Sequence, residues 1–174
     1  MEKKKHIILV GMPGSGKSSM GFILSKLMHR IFIDTDYCIL KKEKKSIASI
    51  FAEYGEDNFR KIERQVLLEI LESEPAIIST GGGMPCFYDN MELMNEFAVT
   101  VYLKITPEQL FEHLKNDKKR PLVKGKTPEE LMDYINTSLE QRKLYYEKAD
   151  IIIPVHDETP VQLAVNLHKN LKNI

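Results

Sequence analysis

A glycine-rich loop directly after a short apolar run constrains the fold more than any other feature of this sequence. Residues 11–18 read GMPGSGKS and fit the pattern Gly-x-x-x-x-Gly-Lys-Ser. The apolar run 7–10 precedes them, and an amphipathic stretch over residues 19–28 follows. Strand, loop and helix in this order is the context in which the pattern indicates a phosphate-binding loop (P-loop) rather than a chance glycine-rich turn.

The chemistry of the P-loop predicts its ligand. Its glycines let backbone N–H groups turn inward around an anion, and the following helix adds the positive end of its dipole. Lys17 has the reach to contact the β- and γ-phosphates of a nucleoside triphosphate, and the Ser18 hydroxyl suits Mg²⁺. We therefore predict that a nucleoside triphosphate and Mg²⁺ bind on residues 11–18.

Five short apolar runs divide the rest of the chain, and helix-like stretches separate them. The runs cover residues 7–10, 31–33, 76–79, 99–103 and 151–155. Alternating strands and helices predict an α/β fold, in which helices cover both faces of a parallel sheet. Three helix starts share one signature, a Thr at the N-cap, Pro at the first helical position and Glu or Gln at the third, and they begin at Thr106, Thr127 and Thr159.

The overall composition narrows the class of protein. The 174 residues carry 25 Lys and Arg against 25 Asp and Glu, whereas a nucleic-acid-binding protein usually has a basic excess. The apolar run 7–10 is too short for a signal peptide, and no run approaches the roughly 18 residues of a membrane helix. Cys38 and Cys86 lack the spacing of a zinc site and indicate unpaired thiols in a reducing compartment. We expect one domain over residues 1–174, a cytoplasmic monomer with no nucleic-acid or membrane partner.

The sequence favours a small kinase over a switch GTPase. A GTPase would carry a guanine-reading Asn-Lys-x-Asp and a switch Asp-x-x-Gly, and neither pattern is present. A chain of this length with a P-loop then fits a kinase that acts on a small acceptor.

Acidic and glycine residues follow two of the predicted strands. Asp34 and Asp36 come after residues 31–33, and Gly81, Gly82 and Gly83 come after residues 76–79. Ligands bind beyond the carboxyl ends of strands in such sheets, and phosphoryl transfer uses one carboxylate near Mg²⁺ and another near the acceptor hydroxyl. The alternatives are a helix N-cap at either aspartate and a merely flexible glycine connection.

Arginines supply a further indication. Arg60 and Arg142 offer planar guanidinium groups that would bind an anionic acceptor, although a surface ion pair of Arg142 with Glu140 or Glu147 is an equal alternative. Arg120 lies in a basic stretch, residues 115–126, which we interpret as a mobile lid whose arginine closes over the transferring phosphate. The alternative is a basic stretch that is merely solvated.

Together these pieces resemble one family. The chain resembles shikimate kinase, a small P-loop kinase related in fold to the nucleoside monophosphate kinases, over residues 10–160. The resemblance rests on residues 11–19, 34–36, 46–51, 59–63, 81–83 and 120–123, and on Arg142 followed by Tyr145. It implies a three-layer α/β/α P-loop kinase fold, with a five-stranded parallel sheet of order 2-3-1-4-5 and a substrate-binding helical region over about residues 36–62.

The resemblance also implies an activity. ATP would transfer its γ-phosphoryl group to the 3-hydroxyl of shikimate, in the biosynthesis of chorismate and the aromatic amino acids, with Mg²⁺ present. The alternatives are a P-loop kinase for gluconate or a nucleoside monophosphate, and a non-catalytic nucleotide-binding module.

Individual roles follow from the same resemblance. Catalytic roles fall on Lys17, on Asp36 as the candidate base and on Arg120 from the lid, while Glu63 would orient Arg60. Magnesium would be held directly by Ser18 and through water by Asp34. Shikimate would contact Asp36, Arg60, Gly81, Gly82, Gly83 and Arg142, and the nucleotide would contact Gly14, Ser15, Gly16, Lys17, Ser18, Ser19 and Arg120.

Three positions depart from the family pattern. Lys44 stands where many members have glycine, His113-Leu114 stands where many have an adenine-stacking arginine, and Glu158 stands where a basic residue is common. These changes concern contacts to adenine more than contacts to shikimate, so we expect a changed affinity for the nucleotide rather than a loss of function.

Overall fold

The central strand of the fold carries the P-loop at its carboxyl end. The computed structural model describes residues 6–116 and 125–171. Five strands form one parallel sheet in the order β2-β3-β1-β4-β5, and they are β1 (His6–Val10), β2 (Ile31–Asp34), β3 (Ala76–Ser79), β4 (Ala98–Lys104) and β5 (Ile151–Pro154). The predicted order 2-3-1-4-5 is confirmed, and each predicted strand lies within two residues of its observed bounds.

Burial follows the position of each strand in the sheet. Every residue of β1 is buried, because β3 and β4 flank it and helices cover both faces. The edge strands β2 and β5 keep partly exposed side chains instead. The most continuous apolar run of the sequence therefore became the middle of the sheet, as expected for a strand that is buried on both faces.

In the described part of the chain, seven α-helices and a short 3₁₀ turn accompany the strands. The helices are α1 (Lys17–Leu27), α2 (Thr35–Glu43), α3 (Ile47–Leu71), α4 (Asn90–Phe97), α5 (Pro107–Leu114), α6 (Pro128–Tyr146) and α7 (Pro160–Leu171), and the 3₁₀ turn spans Met84–Cys86. The three predicted Thr-Pro helix starts are confirmed as α5, α6 and α7. Each threonine hydroxyl accepts a hydrogen bond from the backbone N–H three residues on, at 3.3 Å for Thr106 and Thr159 and 3.2 Å for Thr127.

A kink at Gly55 divides α3 into two arms. Gly55 has φ 75° and ψ 174°, a conformation that glycine adopts without the steric cost a β-carbon would bring. Arg60 therefore lies about one turn into the second arm of a long helix. The two arms turn Phe51 and Phe59 toward each other, with ring centroids 4.4 Å apart.

Two further predictions from the sequence, the lid and the lack of a membrane helix, are compared with the residues that the structure describes. Most of the predicted lid, with Arg120, lies outside the described residues. Within residues 6–116 and 125–171, no helix combines the length and apolar character that crossing a membrane requires.

Candidate active site

The P-loop places Lys17 at the start of α1, where Gly16 is the helix N-cap. The Lys17 ammonium donates hydrogen bonds to the backbone carbonyls of Gly11 at 2.9 Å and Met12 at 2.8 Å, and the side chain is buried. Ser18 and Ser19 occupy the exposed first turn of α1. The helix N-terminus, its backbone N–H groups and the Lys17 cation thus converge on one anion-binding loop.

Ser18 faces the end of the neighbouring strands. Its hydroxyl donates to Asp34 Oδ2 at 2.8 Å and lies 3.1 Å from the Ser79 hydroxyl, because Asp34 and Ser79 are partners in the β2–β3 register. Asp34 also caps α2 through Oδ1, which accepts from the backbone N–H of Asp36 at 3.1 Å. The N-cap alternative is therefore correct for Asp34, and its other carboxylate oxygen remains directed at Ser18.

Oxygen donors of this kind fit Mg²⁺. A hydroxyl and a carboxylate beside a phosphate-binding loop match the way Mg²⁺ is usually held, by one or two protein oxygens together with substrate phosphates and water. Within the described ranges, no cluster of three or more His, Cys, Asp or Glu side chains could form an all-protein metal site. A divalent ion at Ser18 and Asp34 would accordingly depend on phosphate oxygens.

A cavity of about 580 Å³ opens beside the P-loop. The P-loop contributes Met12 and Pro13 to its wall, so phosphates on the loop would lie next to a molecule in the cavity. The cavity brings together all the predicted acceptor-side residues, and its lining includes Asp36, Arg60, Glu63, Gly81, Gly82, Gly83 and Arg142. Apolar side chains of both arms of α3, among them Ile47, Phe51 and Phe59, supply another part of the lining.

Arg60 is held rigidly at this cavity. Its guanidinium donates to Glu63 Oε2 at 2.5 Å and to Glu56 Oε1 at 2.7 Å, and it lies 4.0 Å from the ring centroid of Phe87. Burial raises the pKa of Glu63 to about 7, and this effect outweighs the lowering by the Arg60 and Arg142 cations. The predicted pairing of Glu63 with Arg60 agrees with this geometry.

Arg142 is placed differently, and the ion pair considered for it with Glu140 or Glu147 does not form. Glu140 and Glu147 form ion pairs with Lys143 at 3.5 Å and Lys104 at 3.0 Å instead. In the described part of the chain, no carboxylate forms a salt bridge with Arg142, which contacts the Met12 sulfur at 3.9 Å. The half-buried Arg142 guanidinium therefore faces the cavity with its charge available to an anion.

The glycine run is required by close packing. A β-carbon on Gly81 would lie 2.6 Å from Asp36 Oδ1, and one on Gly83 would lie 2.6 Å from an Arg60 nitrogen. Any other residue would displace the two side chains that face the cavity. Packing therefore explains these glycines better than a flexible connection does, because Asp36 and Arg60 lie directly against the backbone.

Tyr146 is a site residue that sequence reasoning missed. Its buried hydroxyl donates to the Gly82 carbonyl at 2.5 Å and contacts the Met12 sulfur at 3.9 Å, and burial holds the pKa of this phenol above its usual range. It ties α6, the glycine run and the P-loop together. The available signal was its spacing, because Tyr146 lies one helical turn after Arg142 and so shares its face of α6.

A second cavity, of about 380 Å³, lies between α5 and the loop after β5. His113 lines it and donates from Nδ1 to the Gly14 carbonyl at 2.8 Å, so this cavity adjoins the P-loop. Glu158 also lines it, and its carboxylate accepts from the His156 backbone N–H at 2.8 Å. Two of the three positions that depart from the family pattern therefore meet at one cavity.

Arg64 has a structural role. It binds Asp89 and Asn90, each at 2.6 Å, and so ties α3 to the start of α4 away from the cavity of Arg60 and Arg142.

Comparison with known proteins shows the family of the chain. The family model described as shikimate kinase matches residues 13–172. The curated shikimate kinase of Azobacteroides pseudotrichonymphae is 46% identical over 165 residues, which cover 94% of this chain and 97% of that protein. The 1.7 Å crystal structure of shikimate kinase from Bacteroides thetaiotaomicron aligns with a TM-score of 0.90 at 39% identity, covering 97% of this chain and 98% of that chain. Shikimate kinase from Acinetobacter baumannii, in complex with shikimate, aligns with a TM-score of 0.90 at 30% identity, covering 99% of this chain and 95% of that one. The chain therefore belongs to the shikimate kinase family.

Proposed function

We propose that this chain transfers the γ-phosphoryl group of ATP to the 3-hydroxyl of shikimate, giving shikimate 3-phosphate and ADP on the route to chorismate and the aromatic amino acids. The observation that carries the proposal is Arg142, a cavity-facing guanidinium with no salt-bridged carboxylate in the described part of the chain. A small acid would supply the missing carboxylate, and the same cavity presents Asp36 to its hydroxyl groups.

The acceptor half consists of groups that fix orientation. Arg142 and Arg60 would bind the shikimate carboxylate, with Arg60 held in place by Glu63 and Glu56. Asp36 would bind ring hydroxyls, and the backbone of residues 81–83 would contact the ring at close range. Because the cavity walls are largely apolar, these few polar groups would set the position of the substrate.

The donor half is the P-loop and the first turn of α1. Backbone N–H groups of Gly14, Ser15 and Gly16, with Ser18 and Ser19, would bind the phosphates of ATP, and Lys17 would neutralise the transferring group. Since Lys17 is bonded to the Gly11 and Met12 carbonyls, ATP would have to draw it out of those contacts. Ser18 and Asp34 would hold Mg²⁺, which neutralises phosphate charge when bound.

The transfer step requires one proton acceptor and one leaving group. Asp36 would take the proton of the 3-hydroxyl while that oxygen bonds to the γ-phosphorus. The bond from the γ-phosphorus to the bridging oxygen breaks, and ADP leaves with that oxygen. Arg120, from the proposed lid over residues 115–126, would contact the phosphates and help to exclude water, which limits wasteful hydrolysis of ATP.

The setting of the enzyme is part of the same proposal. Shikimate and ATP are small and water-soluble, and the thiols of Cys38 and Cys86 are free, as in a reducing compartment. We place the protein in the cytoplasm, as a monomer that works without a nucleic-acid or membrane partner.

A coupled ADP-release assay tests the acceptor. Shikimate, gluconate and AMP are offered separately with ATP and Mg²⁺, and the product is identified by its mass. Turnover with shikimate alone supports the proposal, whereas turnover with gluconate or AMP but not shikimate refutes it.

A further inference from the structure

Helix α5 forms one wall of the second cavity, and the loop after β5 forms the other. Gln109 and His113 lie four residues apart on α5, so they share one face of the helix. His113 bonds to the P-loop, while Gln109 bonds to the loop that follows β5. Two hydrogen bonds from one helical face thereby fix three separate segments relative to each other.

Gln109 uses both ends of its amide. Its Oε1 accepts from the Thr106 backbone N–H at 3.2 Å, which closes the capping box of α5. Its Nε2 donates to the His156 carbonyl at 2.6 Å, across 47 positions of the sequence. The two contacts fix the amide orientation, because only the oxygen can accept and only the nitrogen can donate.

The cavity between these contacts has a chemistry unlike that of the acceptor cavity. Its described lining contains four carboxylates and no lysine or arginine, and the four are Glu108, Glu112, Asp157 and Glu158. The other ionisable side chains of the described lining are His113 and His156, so no lysine or arginine holds a ligand there by charge. A ligand in this cavity must therefore be held by shape and hydrogen bonding, so the distance between α5 and the loop after β5 matters for binding.

We propose that Gln109 is a positioning residue for the nucleoside end of ATP. When the triphosphate lies on the P-loop, the base and ribose must lie beside it. The second cavity adjoins the P-loop, because His113 lines the cavity and bonds to Gly14, and so it can receive them. Gln109 sets the distance between α5 and the loop over residues 155–158, and so fixes the width of the second cavity. This inference rests on the proposed use of ATP as the donor, and it concerns nucleotide binding alone.

The variant Gln109→Glu separates the two uses of the amide. A glutamate at this helical position still accepts from Thr106, as Glu130 does from Thr127 in α6, but it cannot donate to His156. We expect the dissociation constant for ADP, measured by titration calorimetry on the full chain, to rise roughly three- to tenfold. The KM for ATP should rise equally, with kcat, the KM for shikimate and Tm nearly unchanged.

Two further variants exclude simpler explanations. Glu130→Gln, the reverse exchange in the capping box of α6, should leave ADP binding unchanged. Gln109→Glu combined with Glu108→Gln restores the net charge of the cavity, and ADP binding should stay weak because the lost donor, not the added charge, is responsible.

Three results would overturn the inference. They are unchanged ADP affinity in Gln109→Glu, full recovery in the charge-restored double variant, and a parallel rise in the KM for shikimate. The ADP titration does not depend on the acceptor, so a wild-type protein that fails to phosphorylate shikimate would refute the proposed function and leave this test intact.

Discussion

The donor and acceptor halves of the site are built in opposite ways. Apart from Asp34, the proposed donor half is one segment, residues 11–19, whose phosphate-binding groups would mostly be backbone N–H groups at the start of α1. The acceptor half takes Asp36, Arg60, Gly82 and Arg142 from four separate parts of the chain. A local motif can thus fix the phosphate chemistry, whereas the choice of acceptor depends on the whole fold.

The halves also differ in how their cations are held. Lys17 is bonded to carbonyls of its own loop, and Arg60 is bonded to two glutamates, but Arg142 has no such carboxylate within the described ranges. We infer that Arg142 is the cation whose charge is most available to an acceptor. The following substitutions test whether acceptor binding and phosphoryl transfer depend on different residues.

Asp36→Asn should have the largest effect. The amide cannot accept the proton of the acceptor hydroxyl, so kcat should fall about 10²–10⁴-fold while ADP binding stays the same. Steady-state rates together with calorimetric titration of ADP would measure this. A loss of less than about tenfold would mean that Asp36 only orients the hydroxyl.

Arg142→Ala should separate the two halves most clearly. Removing a partly buried charge that pairs with a substrate carboxylate costs about 2–5 kcal/mol, so the KM for shikimate should rise about 30-fold or more. The KM for ATP should change little. Glu140→Gln, on the same helix, is the matched control and should behave as wild type. Equal losses for both substrates would show that Arg142 is a structural residue.

The sequence predicted most of the donor half because its determinants are local. An apolar run, glycines at fixed spacing and a Lys-Ser pair define the strand, the loop and the start of α1, and three threonine caps define α5, α6 and α7. These features depend only on residues that are close together in the sequence. Tertiary packing did not have to be known to find them.

The acceptor half could be predicted only in part. Glu140 and Glu147 lie two and five positions from Arg142, so neither shares its helical face, yet sequence alone did not show what that face contacts. The hydrogen bonds of Tyr146 to Gly82 and of Gln109 to His156 join residues 64 and 47 positions apart. Such contacts exist only once the sheet has brought the segments together.

Glu63→Gln should remove a pH dependence of stability that belongs to the acceptor half. In the unfolded chain Glu63 titrates near 4.5, whereas burial raises its pKa to about 7 in the fold. The folded state therefore binds more protons between these values, and the free energy of unfolding falls as the pH rises through this range. The loss is on the order of 3 kcal/mol by pH 8 and should be absent in the variant.

Urea unfolding at pH 5 and pH 8 would measure this difference. Glu56→Gln is the control, since Glu56 also binds Arg60 but is exposed, and it should keep the wild-type pH dependence. Identical pH dependence in wild type and Glu63→Gln would contradict the burial argument.

The smallest predicted effect concerns backbone strain beside the acceptor half. Lys44 ends α2 in a left-handed conformation, with φ 53° and ψ 27°, at the position where many family members have glycine. A β-carbon in this conformation is unfavourable, so Lys44→Gly should raise the free energy of unfolding by about 0.5–1 kcal/mol. His29, with φ 52° beyond the carboxyl end of α1, carries the same strain away from the site, so His29→Gly should give a similar gain. Lys41→Gly, inside α2, should instead lower stability by about 1 kcal/mol.

Urea unfolding of the three variants would separate strain relief from a general effect of glycine, and a loss of stability in Lys44→Gly would show that the lysine side chain matters more than its backbone.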